Sequence, residues 1–203
     1  DTKMKKSVLT QADWTQYLVH VYFGKGEPLS SCLDRAYRDF NRTLRGIGDT
    51  KNNKEIYTAG KTYLRDRIVL LKNITDDLDQ DKFDDWHKDT CLGLCELYKK
   101  NRFASFRIGQ AQKWINMTLK YIFTYGENAL PGYAKIYNLC HVPIDNVILN
   151  QIKDDDNVPV LSEKWSRLKS YDEYFKLQKW FRDYCVERIP LDVEFELWDD
   201  KTP

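Results

Sequence analysis

Arg107-Ile-Gly-Gln-Ala-Gln-Lys113-Trp-Ile-Asn-Met-Thr-Leu-Lys120 runs on into Tyr-Ile-Phe-Thr-Tyr125, and from Trp114 to Tyr125 eight of twelve residues are large and apolar or aromatic. A segment this apolar around its circumference reads as a helix buried on most sides. Lys113, Asn116 and Lys120 fall at i, i+3 and i+7, a single polar stripe on it. Gly109, just ahead, suits a turn into the helix or a close approach of backbone to a ligand. Such a stripe either meets solvent or lines a polar cleft. Solvent is the usual case for a helical lysine, and the flanking Trp114 and Met117 favour the cleft. Burying the lysine stem disfavours its charged form, neighbouring cations such as Lys120 and Arg107 push the same way, and an uncharged lysine is a nucleophile.

The second informative stretch is His141-Val-Pro-Ile-Asp145-Asn146. Pro143 and Asp145 precede Val147-Ile148-Leu149, which reads as a helix start with a proline and an acid in its opening turn. Exposed backbone N–H groups and the positive end of the helix dipole favour an ionised carboxylate there. Taken alone, Asp145 is an ordinary capping aspartate. Taken with Lys113, it completes a lysine–aspartate pair in a fixed order.

With Gln112-Lys113 opening one hydrophobic helix and Val142-Pro-Ile-Asp145 opening another, the chain resembles the helix–hairpin–helix base-excision DNA glycosylases. The wide gap between the two residues and the Gln-Lys dipeptide are most similar to the archaeal 8-oxoguanine glycosylase branch and its bacterial relatives. The resemblance covers about 40 of the 203 residues. It implies Lys113 as the Schiff-base nucleophile and Asp145 as the carboxylate that assists it. It also implies an all-α fold of two helical lobes with an active-site cleft. The chain, 1–203, is then one domain in which the segment 99–150 lines that cleft. Gln112, Trp114 and Asn116 become candidates for the base pocket. The family's Leu-Pro-Gly-Val-Gly hairpin is absent, Gly109 alone remaining, and so is the four-cysteine iron–sulfur pattern of some members.

A net charge of +1 is unusual for a DNA-binding protein, but its distribution is uneven. No acid lies between Glu96 and Glu127, where Lys99, Lys100, Arg102, Arg107, Lys113 and Lys120 are found, so these cations and Gly109 are the expected contacts to a phosphate backbone. The segment 76–89 holds seven aspartates and reads as a solvent-facing helix start turned away from nucleic acid. Five scattered cysteines suggest reduced thiols and a cytoplasmic setting. His87, Cys91 and Cys95 recur on one helical face and Cys140 adjoins His141, but buried thiols are commoner than zinc ligands, so neither metal nor cofactor is expected. No run approaches the roughly 18 apolar residues of a membrane span. The charged Asp1-Thr-Lys-Met-Lys-Lys leads into no apolar core, so no secretory leader is expected.

Helical periodicity predicts helices near 11–23, 30–47, 51–73, 80–100, 109–125, 131–139, 144–152 and 171–189, with a shorter one near 162–169. Leu191-Asp-Val-Glu-Phe-Glu-Leu197 alternates at a strand period and, lacking a partner strand, reads as an extended tail packed on the helices. There is no phosphate loop, no Gly-x-Ser-x-Gly elbow and no His-Glu-x-x-His. The expectation is a monomeric DNA glycosylase acting on double-stranded DNA with a modified base flipped out of the duplex. The base is either an 8-oxoguanine-like lesion, as in repair, or a modified cytosine of phage DNA, as in antiphage defence. Two other readings stay open: a non-catalytic helical nucleic-acid-binding module and a protein–protein adaptor.

Overall fold

The computed structural model describes residues 6–74 and 78–199, and among them every regular element is helical. Asp76 and Asp77 of the acidic run lie outside the described residues. Eight α-helices follow in order: α1 (Gln11–Phe23), α2 (Pro28–Phe40), α3 (Asn53–Asn73), α4 (Gln80–Lys100), α5 (Ile108–Tyr125), α6 (Asn146–Ile152), α7 (Tyr171–Cys185) and α8 (Pro190–Asp199). Short 3-10 turns at Asn41–Thr43, Ile47–Asp49, Ala134–Leu139 and Trp165–Arg167 connect them. None of the helices is long and apolar enough to cross a membrane.

α5 is the axis of the molecule, with thirteen of its 18 residues buried. A helix apolar nearly all round must be covered on nearly all sides. α2, α4, α7 and the Trp165–Arg167 turn provide the cover. Trp114 fills the centre, fully buried, with its indole N–H donated to the Leu33 carbonyl at 3.0 Å and its ring against Tyr37, Phe40 and Tyr57.

Several boundaries depart from the periodicity. α2 ends at Phe40, not near residue 47, because the chain tightens into a 3-10 turn and then passes through Gly46 at φ +84°. The helices expected at 131–139 and 162–169 are 3-10 turns, and α7 stops at Cys185. The tail is a correction. Residues 191–197 belong to helix α8, with Pro190 in its first turn, where the missing N–H costs nothing. Leu191, Val193 and Glu194 are its buried residues, so Glu194 faces inward although alternation placed it outside.

The acidic segment is corrected too. It opens α4, with Asp79 accepting from Lys82 N as the cap at 2.9 Å, but it does not all face solvent. Asp84 is buried and receives both guanidinium nitrogens of Arg182, at 2.8 and 2.5 Å, with His141 Nε2 at 2.8 Å.

Candidate active site

Residues 140–145 cross α5 as an extended segment, and two glutamine side chains act as its strand partners. Gln178 of α7 accepts from Val142 N at 3.0 Å and donates to Val142 O at 2.8 Å. Gln112 of α5 does the same two residues on, accepting from Ile144 N at 3.1 Å and donating to Ile144 O at 2.8 Å. Both amides are buried, so each of these bonds satisfies a backbone group that water cannot reach. The clamp delivers the next residue, Asp145, to the start of α6. There its Oδ1 caps the helix by accepting from Val147 N and Ile148 N at 2.9 and 3.1 Å.

The other oxygen, Asp145 Oδ2, lies 2.6 Å from Lys113 Nζ. Lys113 is 5% exposed, so the pair is held by its surroundings and is not a loose surface contact. On α5 the residues Lys113, Met117, Lys120 and Thr124 share one face by the helical period, and that face forms a wall of an open cavity of about 590 Å³. Asp145 stands on its rim from α6, and Tyr22, Trp165 and Trp198 add aromatic surface.

A second lysine–carboxylate pair lies in the same cavity. Lys120 Nζ donates to both oxygens of Glu194 at 3.0 and 2.7 Å. Burial pushes the Glu194 carboxyl above its ordinary range while the Lys120 charge opposes the rise. Asp39 is likewise raised by burial, against the hydrogen bond that Tyr121 donates to it at 2.6 Å. The Arg35 guanidinium lies 4.2 Å over the Tyr22 ring beside them.

From Asn116, on α5, a directed chain of buried hydrogen bonds runs through the core. Asn116 donates to the Tyr174 hydroxyl at 2.9 Å, Tyr174 to His141 Nδ1 at 2.9 Å, and His141 Nε2 to Asp84. His87 Nε2 donates to Asn116 Oδ1 at 2.9 Å, leaving Nδ1 to accept from Tyr171 at 2.9 Å. Burial pushes both histidines below their ordinary range, which matches these neutral tautomers. Burial also opposes the Asp84 charge, but the bonds from His141 and Arg182 outweigh it and hold that carboxyl low.

No family model, curated protein or solved structure matches this chain.

Of the residues singled out in the sequence, Lys113, Lys120 and Asp145 meet at the cavity. Gln112, Asn116 and Trp114 do not line it. On the other sides of α5, their side chains meet the 140–145 segment, the polar chain and the α2 side of the core. Gly109 makes its close approach within the protein, because a Cβ there would stand 1.6 Å from the Trp165 carbonyl oxygen and its N–H is donated to Leu168 O at 3.1 Å. Lys99, Lys100 and Arg102 are exposed around the end of α4 and none of them lines the cavity. His87 and Cys91 lie together in the core, Sγ 3.7 Å from Nδ1, and no group of three or more His, Cys, Asp or Glu among the described residues could hold a metal ion. Reading the sequence missed Glu194, Asp39 and Trp198. Only the Pro190 helix-start signal could have turned Glu194 and Trp198 toward one face.

Proposed function

We propose that the chain is a DNA glycosylase that cleaves the N-glycosidic bond of a base flipped into the cavity beside Lys113. The observation that carries this reading is the buried contact of Lys113 Nζ with Asp145 Oδ2 at 2.6 Å on the wall of an open, aromatic-lined cavity. In that contact the carboxylate is placed to take a proton from the ammonium. The freed amine then attacks C1′ of the deoxyribose, and the glycosidic bond breaks with its electron pair leaving on the base. The departing base takes the proton that Asp145 received. The second amine proton passes to O4′ as the C1′–O4′ bond opens with its electron pair on that oxygen, which gives the protonated Schiff base and a 4′-hydroxyl. Alternatively, the carboxylate keeps its charge and stabilises the positive charge that develops on the sugar. Tyr22, Trp165 and Trp198 give an extruded base aromatic surface to pack on, and the Lys120–Glu194 pair offers its edge both a donor and an acceptor.

Hydride reduction tests the reading. The protein is incubated with borohydride and duplexes bearing either 8-oxoguanine or sugar-modified hydroxymethylcytosine. The expected result is base release together with a covalent adduct that maps by peptide mass to Lys113. Release without an adduct would transfer the chemistry to Asp145 and water, and neither release nor adduct on any duplex would remove the glycosylase reading.

A further inference from the structure

The loops that wall the cavity carry a second, basic depression beside it. Two residues of the Trp165–Arg167 turn divide between the two hollows: Trp165 lines the cavity and Arg167 the depression. The loop after α2 does the same, with Arg42 on the cavity and Arg45 on the depression. Arg107 and Lys169 complete a hollow of about 330 Å³, in which Glu163 is the one acid against four cations. That acid stands 3.5 Å from Lys169, and Arg45, Arg167 and Lys169 are exposed.

The cations are mounted on a fixed base. Gln110, buried at the first turn of α5, accepts from Arg107 N at 2.9 Å and donates to Thr43 Oγ1 and Thr43 O at 3.0 and 3.2 Å. One side chain therefore ties the Arg107 loop to the loop between Arg42 and Arg45. Gly109 ties in the third loop through Leu168 O, in the close backbone contact with Trp165. Four like charges gathered on three pinned loops repel one another, Glu163 offsets the one on Lys169, and an anion with several charges among them relieves the rest.

We propose that this depression binds the phosphate backbone of the DNA strand whose nucleotide occupies the cavity; the choice of DNA rests on the glycosylase reading. Two to four residues of chain reach at most about 7–14 Å, and a DNA strand carries a phosphate roughly every 3.4 Å along the duplex axis. A nucleotide in the cavity thus brings the phosphates of its neighbours to Arg45, Arg167 and Lys169. The depression gives the phosphate contacts a location different from the exposed Lys99, Lys100 and Arg102.

The test is the salt dependence of binding to an unmodified duplex. It compares the wild type, the Arg45→Ala/Arg167→Ala/Lys169→Ala protein, and the Lys99→Ala/Lys100→Ala/Arg102→Ala protein. In the first variant the slope of log affinity against log salt should fall by about 0.9 for each lost contact, to a total near 2.7. The second variant should keep the wild-type slope, and Arg45→Lys/Arg167→Lys should keep it as well. Melting temperatures should be unchanged, since all the replaced side chains are exposed. An unchanged slope in the first variant, or a loss confined to the second, overturns the proposal while base release and hydride trapping still stand for the glycosylase reading. Salt-dependent binding lost in the first variant, with no base release on any duplex, upholds the phosphate site and removes the glycosylase.

Discussion

Gln112 meets Ile144 with both ends of its amide, Oε1 accepting the Ile144 N–H at 3.1 Å and Nε2 donating to the Ile144 carbonyl at 2.8 Å. Lys113 follows one of these residues and Asp145 follows the other. The reciprocal bond therefore fixes the register in which the lysine and the carboxylate face each other, 32 residues apart in sequence. Replacing Gln112 by Ala leaves two buried backbone groups without partners, at a cost of about 1–3 kcal/mol each. It also loosens Asp145 relative to Lys113, and a displacement of about 1 Å in such a site can lower a rate by roughly 100-fold. Single-turnover base release at saturating protein should fall by one to two orders of magnitude, with duplex affinity kept. A wild-type single-turnover rate in Gln112→Ala would show that the clamp does not position the pair.

Asp145 serves two tasks with two oxygens, one capping α6 and one facing Lys113. The tasks separate by substitution. Asparagine caps a helix about as well as aspartate, whereas alanine loses roughly 0.5–2 kcal/mol at such a position. Both substitutions leave the buried Lys113 without its counter-charge and should release no base, but Asp145→Asn keeps the cap of α6 and should melt above Asp145→Ala. Base release by the Asn variant at the wild-type rate would rule out the carboxylate as proton acceptor.

What could be read from the sequence is what local pattern encodes. The burial of α5, the stop of α4 near Lys100 and the helix start at Asp145 follow from periodicity, composition and capping over a few residues. The places of Arg45 and Arg167 could not be read this way, and local pattern could have set only the face of Glu194, because each reaches the site through a loop or helix packed from a distant part of the chain. The 191–197 stretch shows why alternation alone misleads: Leu191 and Glu194 are three apart, a helical spacing concealed by apolar residues that also happen to alternate. Asp84 was assigned to solvent by its acidic neighbours, and only the approach of Arg182 across 98 residues makes it a core residue. Of the polar stripe on α5, Lys113 and Lys120 line the cavity, whereas Asn116, on the edge of that stripe, is bonded to the buried Tyr174 and His87.

Gly109 admits no side chain. A Cβ would stand 1.6 Å from the Trp165 carbonyl oxygen, a backbone atom that cannot swing aside. Gly109→Ala must push the Trp165–Arg167 turn away from α5, and overpacking of this kind costs about 1–3 kcal/mol or more. Because Trp165 lines the cavity, the change should reach the site as well as the fold. A lowered melting temperature and weakened base release are expected together. A Gly109→Ala protein with wild-type melting would mean that the turn yields without cost.

The buried histidines make stability depend on pH. The rings of His87 and His141 lie with centroids 4.2 Å apart and planes tilted by 32°, within reach of Asp84 and Arg182. In the chain of hydrogen bonds both rings are neutral, and burial holds each below its ordinary value of 6.5. The unfolded chain therefore binds protons that the folded protein refuses. The stabilisation is fully present above pH 6.5 and is lost as the pH falls from there toward the lowered folded-state values. Each histidine that stays neutral while its unfolded counterpart is charged contributes a slope of about 1.4 kcal/mol per pH unit. Asp84 behaves in the same direction but only in stronger acid, since its own carboxyl is held below an ordinary value of 3.8. The melting temperature should thus stay level from about pH 8 to about pH 7 and then drop steadily toward about pH 5. His87→Gln cannot titrate, and its amide can still donate to Asn116, so this variant should show a shallower drop over the same interval. Equal pH slopes for the variant and the wild type would place the acid sensitivity elsewhere in the molecule.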